Sequence, residues 1–181
     1  GERKTADTRG DDKVEAIELE VIAHGLGRRT VLVNLGNFNL FYVRAPNPGP
    51  HRPLSIHWAW APPPGVSFVR QGAVRGLPSE DCDGCLESPS PLLIDGRLYL
   101  YYVHWGRLRR VELRWGSPVA DTWNALAQED VSSNLYASHG HVRQFDGTYY
   151  YAYSRASEDG FGVPDQLYLS TSRDPARFTS G

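Results

Sequence analysis

The chain of 181 residues contains no methionine, only two lysines and only two cysteines. Without methionine it is expected not to begin at its initiator, so Gly1 reads as a processing product, a tag remnant or a cut. Cys82 and Cys85 are too few for a disulfide framework, and this single C-x-x-C leaves the compartment unknown. No apolar run approaches the roughly 18 residues of a membrane span, and no secretory leader is read. Excess positive charge is missing too: Lys+Arg 19 against Asp+Glu 21 gives a net charge of −2. Nucleic-acid binding needs a basic face, so nucleic-acid and membrane partners are both excluded. The preference for Arg over Lys does not by itself make a polyanion site.

Aromatic residues, by contrast, reach 12%, with ten Tyr and five Trp, beside 18 Gly and 13 Pro. That mixture suits many short strands joined by tight turns and suits helices badly. With 22% charged and 40% hydrophobic residues the chain can bury a core. Its length is that of one ordinary domain or one piece of a larger one.

A pattern recurs three times. LGNFNLFYV (Leu35 to Val43), DGRLYLYYV (Asp95 to Val103) and DGTYYYAYS (Asp146 to Ser154) each place Gly second and then alternate along a strand, with Tyr eighth. Gly36, Gly96 and Gly147 align, as do Tyr42, Tyr102 and Tyr153. A turn Gly followed by period-2 aromatics is a hairpin with a half-buried second strand. Before the turns lie the inner-strand candidates RRTVLVN, ESPSPLLI and SHGHVRQF; after them come LSIHWAW, RRVELRW and DQLYLSTS. A Pro-containing turn and an aromatic follow, at Phe68, Trp123 and Phe178.

This unit is that of a four-stranded propeller blade. A β-sandwich is the alternative, but it has no reason to repeat one pattern three times. The expectation is an all-β propeller of four-stranded antiparallel blades, about three in this chain: a partial propeller or a protomer of an assembled ring. Residues 1–13 read as a polar arm, 14–26 as a lone strand, 27–80 and 81–130 as blades, and 131–181 as an incomplete blade. Open propeller ends leave strand edges unpaired, so a homo-oligomer or a longer chain is expected to complete the ring. The lone strand, VEAIELEVIA, is a candidate for the missing outer strand of the third unit.

Glu87 opens the second inner strand, where propeller strands begin at the central channel. A carboxylate there, followed by Ser-Pro and an apolar strand, is partly desolvated and suits a general acid. The plainer reading is a solvated strand-entry Glu that ties down a turn. His139 and His141 alternate around Gly140 and are expected on one face, as a structural or water-holding pair rather than a metal site, and as substrate-binding candidates. Cys82 and Cys85 would need His57 or His104 to complete a zinc site, so a free or locally bridged pair is expected. Tryptophans suit the apolar faces of sugars. Trp60 and Trp115 read as equivalent packing residues, which leaves Trp105, next to His104 in VHWG, as the better binding candidate.

ESPSPLLIDGRLYLYY resembles the segment around the acid/base Glu of the five-bladed propeller glycosidases, glycoside hydrolase families 43 and 32. SHGHVRQFDGTYYYAYS is similar to the Gly-His-Gly element of family 43, whose His reaches the channel near a bound water or ion. The resemblance implies that Glu87 is the acid and that His139 is the channel His, with a glycan as substrate. It implies no required cofactor, with a structural Ca2+ or other ion near His139 as an option. The family's catalytic base, an Asp on the first blade, has no matching segment here. Nor has its second Asp, since GRRTVLVNL carries no carboxylate. Glycosidases need two carboxyl groups across the scissile bond, so the acid half alone is identifiable. Asp81 and Asp83, on the loop before Glu87, are minor candidates for the other half. Without it, the same scaffold reads as a non-catalytic glycan-binding or structural propeller module.

Overall fold

The computed structural model describes residues 29–34, 37–44, 54–63, 67–79, 86–132, 137–155 and 166–179. The expected arm and lone strand, Gly36, Asp81, Cys82, Asp83 and Cys85 lie outside these residues. The described chain forms three antiparallel sheets and no helix. The first holds β1 (Arg29–Asn34), β2 (Asn37–Arg44), β3 (Ser55–Ala61) and β4 (Val69–Ala73), in that spatial order. The second holds β5 (Leu86–Ile94), β6 (Arg97–His104), β7 (Arg107–Trp115) and β8 (Trp123–Asp130). The third holds β9 (Ala137–Phe145), β10 (Thr148–Arg155) and β11 (Gln166–Ser172). Each sheet is a meander in chain order, as in a propeller blade.

The turns explain why the strands reverse where they do. Asp95 and Gly96 (φ 49° and 73°) close one two-residue hairpin, and Asp146 and Gly147 (φ 47° and 69°) another. Positive φ at both central positions is the type I′ requirement, which Asp-Gly meets at little cost.

The middle sheet is buried on both faces. Leu98, Leu100 and Tyr102 of β6 enter a core with Phe41, Ile56 and Trp58 of the first sheet. The alternate residue Tyr101 enters a second core with Val142, Tyr149 and Tyr151 of the third. The half-buried second strand expected from the alternation is therefore wrong for β6, because a sheet lies on either side of it. Large apolar side chains buried in this way each stabilise the fold by about 1.5–3 kcal/mol.

Aromatic wedges join the sheets. Trp123 packs at 6.1 Å from Phe41, and Phe178 at 6.5 Å from Tyr101 and 5.7 Å from Tyr151. Parallel bridges, Arg75 with Asn124 and Ser132 with Phe178, run alongside them. Trp115 lies edge-on to Trp58 (5.1 Å) and Trp123 (5.4 Å), between the first and second sheets. Its expected equivalence with Trp60 fails: Trp60 pairs with Asn39, whereas the counterpart of Asn39, Tyr99, pairs with Glu112.

Candidate functional site

The site lies at one end of β5, β6 and β9. Leu86 and Glu87 pair with His104 and Val103, so the hairpin tip after β6, Trp105-Gly106, stands at the Glu87 end of the sheet. The N–H of Ala137, the first residue of β9, donates to the carbonyl of Gly106 at 2.9 Å and brings His139 to the same end.

Two β-bulges shape this end. On β5 the register steps from Glu87 opposite Val103 to Ser90 opposite Tyr101, so Ser88 and Pro89 share Tyr102. On β9 it steps from Ser138 opposite Ser154 to His141 opposite Ala152, so His139 and Gly140 share Tyr153. The first residue of each bulge has left-handed backbone, Ser88 at φ 54° and His139 at φ 58°. An extra residue in one strand re-aims the side chains beyond it, a device common beside functional sites. Here the His139 N–H leaves its own ladder and donates to Glu87 Oε2 at 2.9 Å. Glu87 is half-buried, and this bond fixes its carboxylate across two sheets.

Ser88 and His139 hold the same place in their strands, so the counterpart of Glu87 is Ser138. The bulge on β9 revises one expectation: the alternation across Gly140 is broken, and the two histidines serve different partners. His139 Nδ1 lies 3.3 Å from Ser154 Oγ on β10, and His141 Nδ1 lies 2.9 Å from Ser90 Oγ on β5. Ser90 Oγ also accepts the Val142 N–H at 3.4 Å, and the Ser88 carbonyl at 3.4 Å is a second acceptor for its proton. This buried hydroxyl ties β5 to β9. Ser90→Ala is expected to lower stability by about 1–2 kcal/mol, read as a lower denaturation midpoint at unchanged denaturant slope.

Behind the bulge stands Tyr151, fully buried. A Cβ on Gly140 would sit 2.4 Å from Tyr151 Cε2 and 2.7 Å from its hydroxyl, so only glycine fits beside the ring. Tyr151 stacks on Tyr153 at 4.6 Å, and Tyr153 on Tyr168 at 5.4 Å. Burial pushes the Tyr151 hydroxyl above its ordinary value, with Tyr153 and the negative charge of Glu87 adding to the effect. Strand alternation does not single out Gly140 or Tyr151, because the constraint on position 140 comes from a ring on the neighbouring strand at a bulge.

Trp105 (φ 51°) and Gly106 (φ 69°) form a two-residue hairpin turn closed by His104 opposite Arg107. The Trp105 indole is 61% exposed, whereas His104 is buried beneath the turn against Tyr102 and Trp105. His57 lies on β3 of the first sheet, with Nε2 2.9 Å from Ser55 Oγ. Burial holds its ring below the usual imidazole value, and Arg44 and Arg70 add to this.

Among the described residues, no group of three or more His, Cys, Asp and Glu side chains could hold a metal ion. The three innermost strands read RTVLVN, LESPSPLLI and ASHGHVRQF, so Glu87 is their one acidic residue. Among the described residues no helix is long and apolar enough to cross a membrane.

No protein-family model matches the chain, and no curated protein does. Solved structures do match. A family 43 β-xylosidase/α-arabinofuranosidase from a compost microbial metagenome, in complex with xylotriose, is 13% identical, with a TM-score of 0.62 over 85% of this chain and 55% of that one. A family 43 enzyme from Xanthomonas citri complexed with xylose is 16% identical, with a TM-score of 0.62 over 85% and 54%. The α-L-arabinanase of Cellvibrio cellulosa complexed with arabinohexaose is 13% identical, with a TM-score of 0.56 over 81% and 52%. The chain thus spans about half the length of the structures it matches. It has the β-propeller fold of the family 43 glycosidases, represented by three of the propeller's sheets.

Proposed function

We propose that this chain is the acid-bearing part of a glycoside hydrolase-like propeller acting on glycosides of pentose sugars such as xylose or arabinose. The observation that carries the reading is Glu87: the one acid of the inner strands, half-buried, and held in place across two sheets by the His139 N–H. Its place in a fold shared with xylosidases and an arabinanase supports the sugar class.

Protonated Glu87 donates to the glycosidic oxygen as the bond from that oxygen to the anomeric carbon breaks, and the leaving sugar departs as an alcohol. A second carboxylate activates water or attacks the anomeric carbon, and the proton lost from Glu87 is restored from the water consumed. That second group comes from the rest of the ring, supplied by a second copy of the chain or by a longer polypeptide, or from Asp81 or Asp83 on the loop before Glu87. His139 and His141 line the same end as positioning and substrate-contacting residues, and Trp105 offers an apolar face at the rim, above His104.

Glu87→Gln is expected to lower turnover of xylosides or arabinosides about 100-fold or more while sugar binding persists. The loss is smaller for aryl glycosides whose leaving group needs no proton. Equal turnover by both forms sinks the acid assignment. The lack of a second acid on the described inner strands favours one other reading, a glycan-binding propeller without turnover. It predicts binding and no hydrolysis in either form.

A further inference from the structure

The Trp105 turn breaks a local rule that the chain obeys elsewhere. Its other two described hairpin tips of this kind put Asp first, at Asp95 and Asp146, ahead of Gly. Trp105 occupies that position at φ 51°, where a bulky side chain is an outlier and the backbone is strained. Local rules are broken mainly where function requires it. The strained residue also leaves its large apolar side chain mostly in solvent rather than in the core.

The turn is held at both sides. Its carbonyl at Gly106 accepts the Ala137 N–H, two residues before His139, and buried His104 packs below the indole at 6.5 Å. Trp105 lies two residues past Val103, the partner of Glu87. The two are therefore displaced by about 7 Å along the strand and about 5 Å across it. The exposed indole therefore sits on a fixed turn at the Glu87 end of the sheet, set apart from Glu87 along the strand.

We propose that Trp105 is a stacking platform for a second sugar residue, so that the ligand is an oligosaccharide rather than a monosaccharide glycoside. This rests on the carbohydrate reading of the Glu87 end. An indole face matches the apolar face of a sugar ring, and a preordered platform binds without ordering a loop.

Trp105→Asn and Trp105→Phe in the full chain test it. Asn accepts left-handed backbone, so the first variant relieves the turn while removing the platform. Calorimetry with xylotriose, arabinotriose, D-xylose and L-arabinose is the readout, with thermal midpoints as the control for folding. Trp105→Asn is expected to melt no lower than the native chain and to bind the preferred trisaccharide about tenfold more weakly or worse. Monosaccharide affinity stays unchanged, and Trp105→Phe keeps part of the trisaccharide affinity.

Undiminished trisaccharide affinity in Trp105→Asn overturns the proposal, as does an equal loss for trisaccharide and monosaccharide, or native chain that binds neither trisaccharide. Failure of the acid assignment looks different. Glu87→Gln would then leave turnover intact, while the Trp105-dependent preference for the trisaccharide persists.

Discussion

Raising the pH above about 10 is expected to unfold the protein in one cooperative step. The cause is three tyrosines, Tyr101, Tyr102 and Tyr151, whose side chains are fully buried. Burial is the largest influence on each and pushes its hydroxyl up, to about 12 for Tyr102 and higher for the other two. Tyr102 donates to Gln128 Oε1 at 2.6 Å and Tyr101 to the Pro175 carbonyl at 2.7 Å, so their neutral forms are the ones the fold uses.

In the unfolded chain a tyrosine loses its proton near pH 10. The stability these groups contribute is complete below that pH and is lost as pH rises, through about 12 for Tyr102 and beyond for the others. Each group removes about 1.4 kcal/mol per pH unit in that window. Three together remove about 4 kcal/mol per pH unit, against a total of about 5–15 kcal/mol for a domain. Tyrosinate absorbance and circular dichroism should therefore change together, and Tyr102→Phe should make the loss less steep. A smooth titration of all ten tyrosines near pH 10, with the sheets still intact, would show the burial argument to be wrong.

Gly140→Ala is expected to cost about 3 kcal/mol or more, at the upper end of overpacking effects. The new Cβ would meet two ring atoms and the hydroxyl of Tyr151 inside 3.0 Å, and that ring is packed on both sides. Tyr153 lies stacked on it and Phe178 tilts against it. The strain falls on the bulge that points the His139 N–H at Glu87, so any turnover should fall with stability. Tyr151→Leu removes the obstructing ring, and in that background Gly140→Ala should cost much less than in the native chain. Chemical denaturation of the four proteins gives the coupling directly. Additive costs would mean that the clash is relieved elsewhere.

Much of the architecture is legible in the sequence because its signals are local. Asp95-Gly96 and Asp146-Gly147 need positive φ, and each lies between alternating runs, so the turns and strands could be read together. The inner, second and third strands fall within about two residues of the runs that mark them. Glu87 stands out in the sequence because it opens the second inner run, where a propeller strand begins at the channel, ahead of an apolar strand.

The features that could not be read depend on an extra residue or on a neighbouring sheet. The bulge at His139-Gly140 shifts the phase by one, and alternation alone cannot reveal such a shift. It is why His139 and His141 were expected to share a face and instead bond to Ser154 and Ser90. The equivalence of Trp60 and Trp115 failed because register is set between strands and not by position along one of them. Trp105 was notable in sequence for its irregular place, but its left-handed backbone and its tie to Ala137 are visible only in the fold.

Residue order and type alone were enough for the strands, the turns and the number of blades, since period-2 patterning and positive-φ turns act within a few residues. The meeting of Glu87 with His139, the space that restricts position 140 to glycine, and the two-sided burial of β6 were decided by tertiary structure. The first and the last are contacts between sheets, with Glu87 and His139 52 residues apart in the chain, and the second is a contact between neighbouring strands at a bulge; only packing brings any of them into existence.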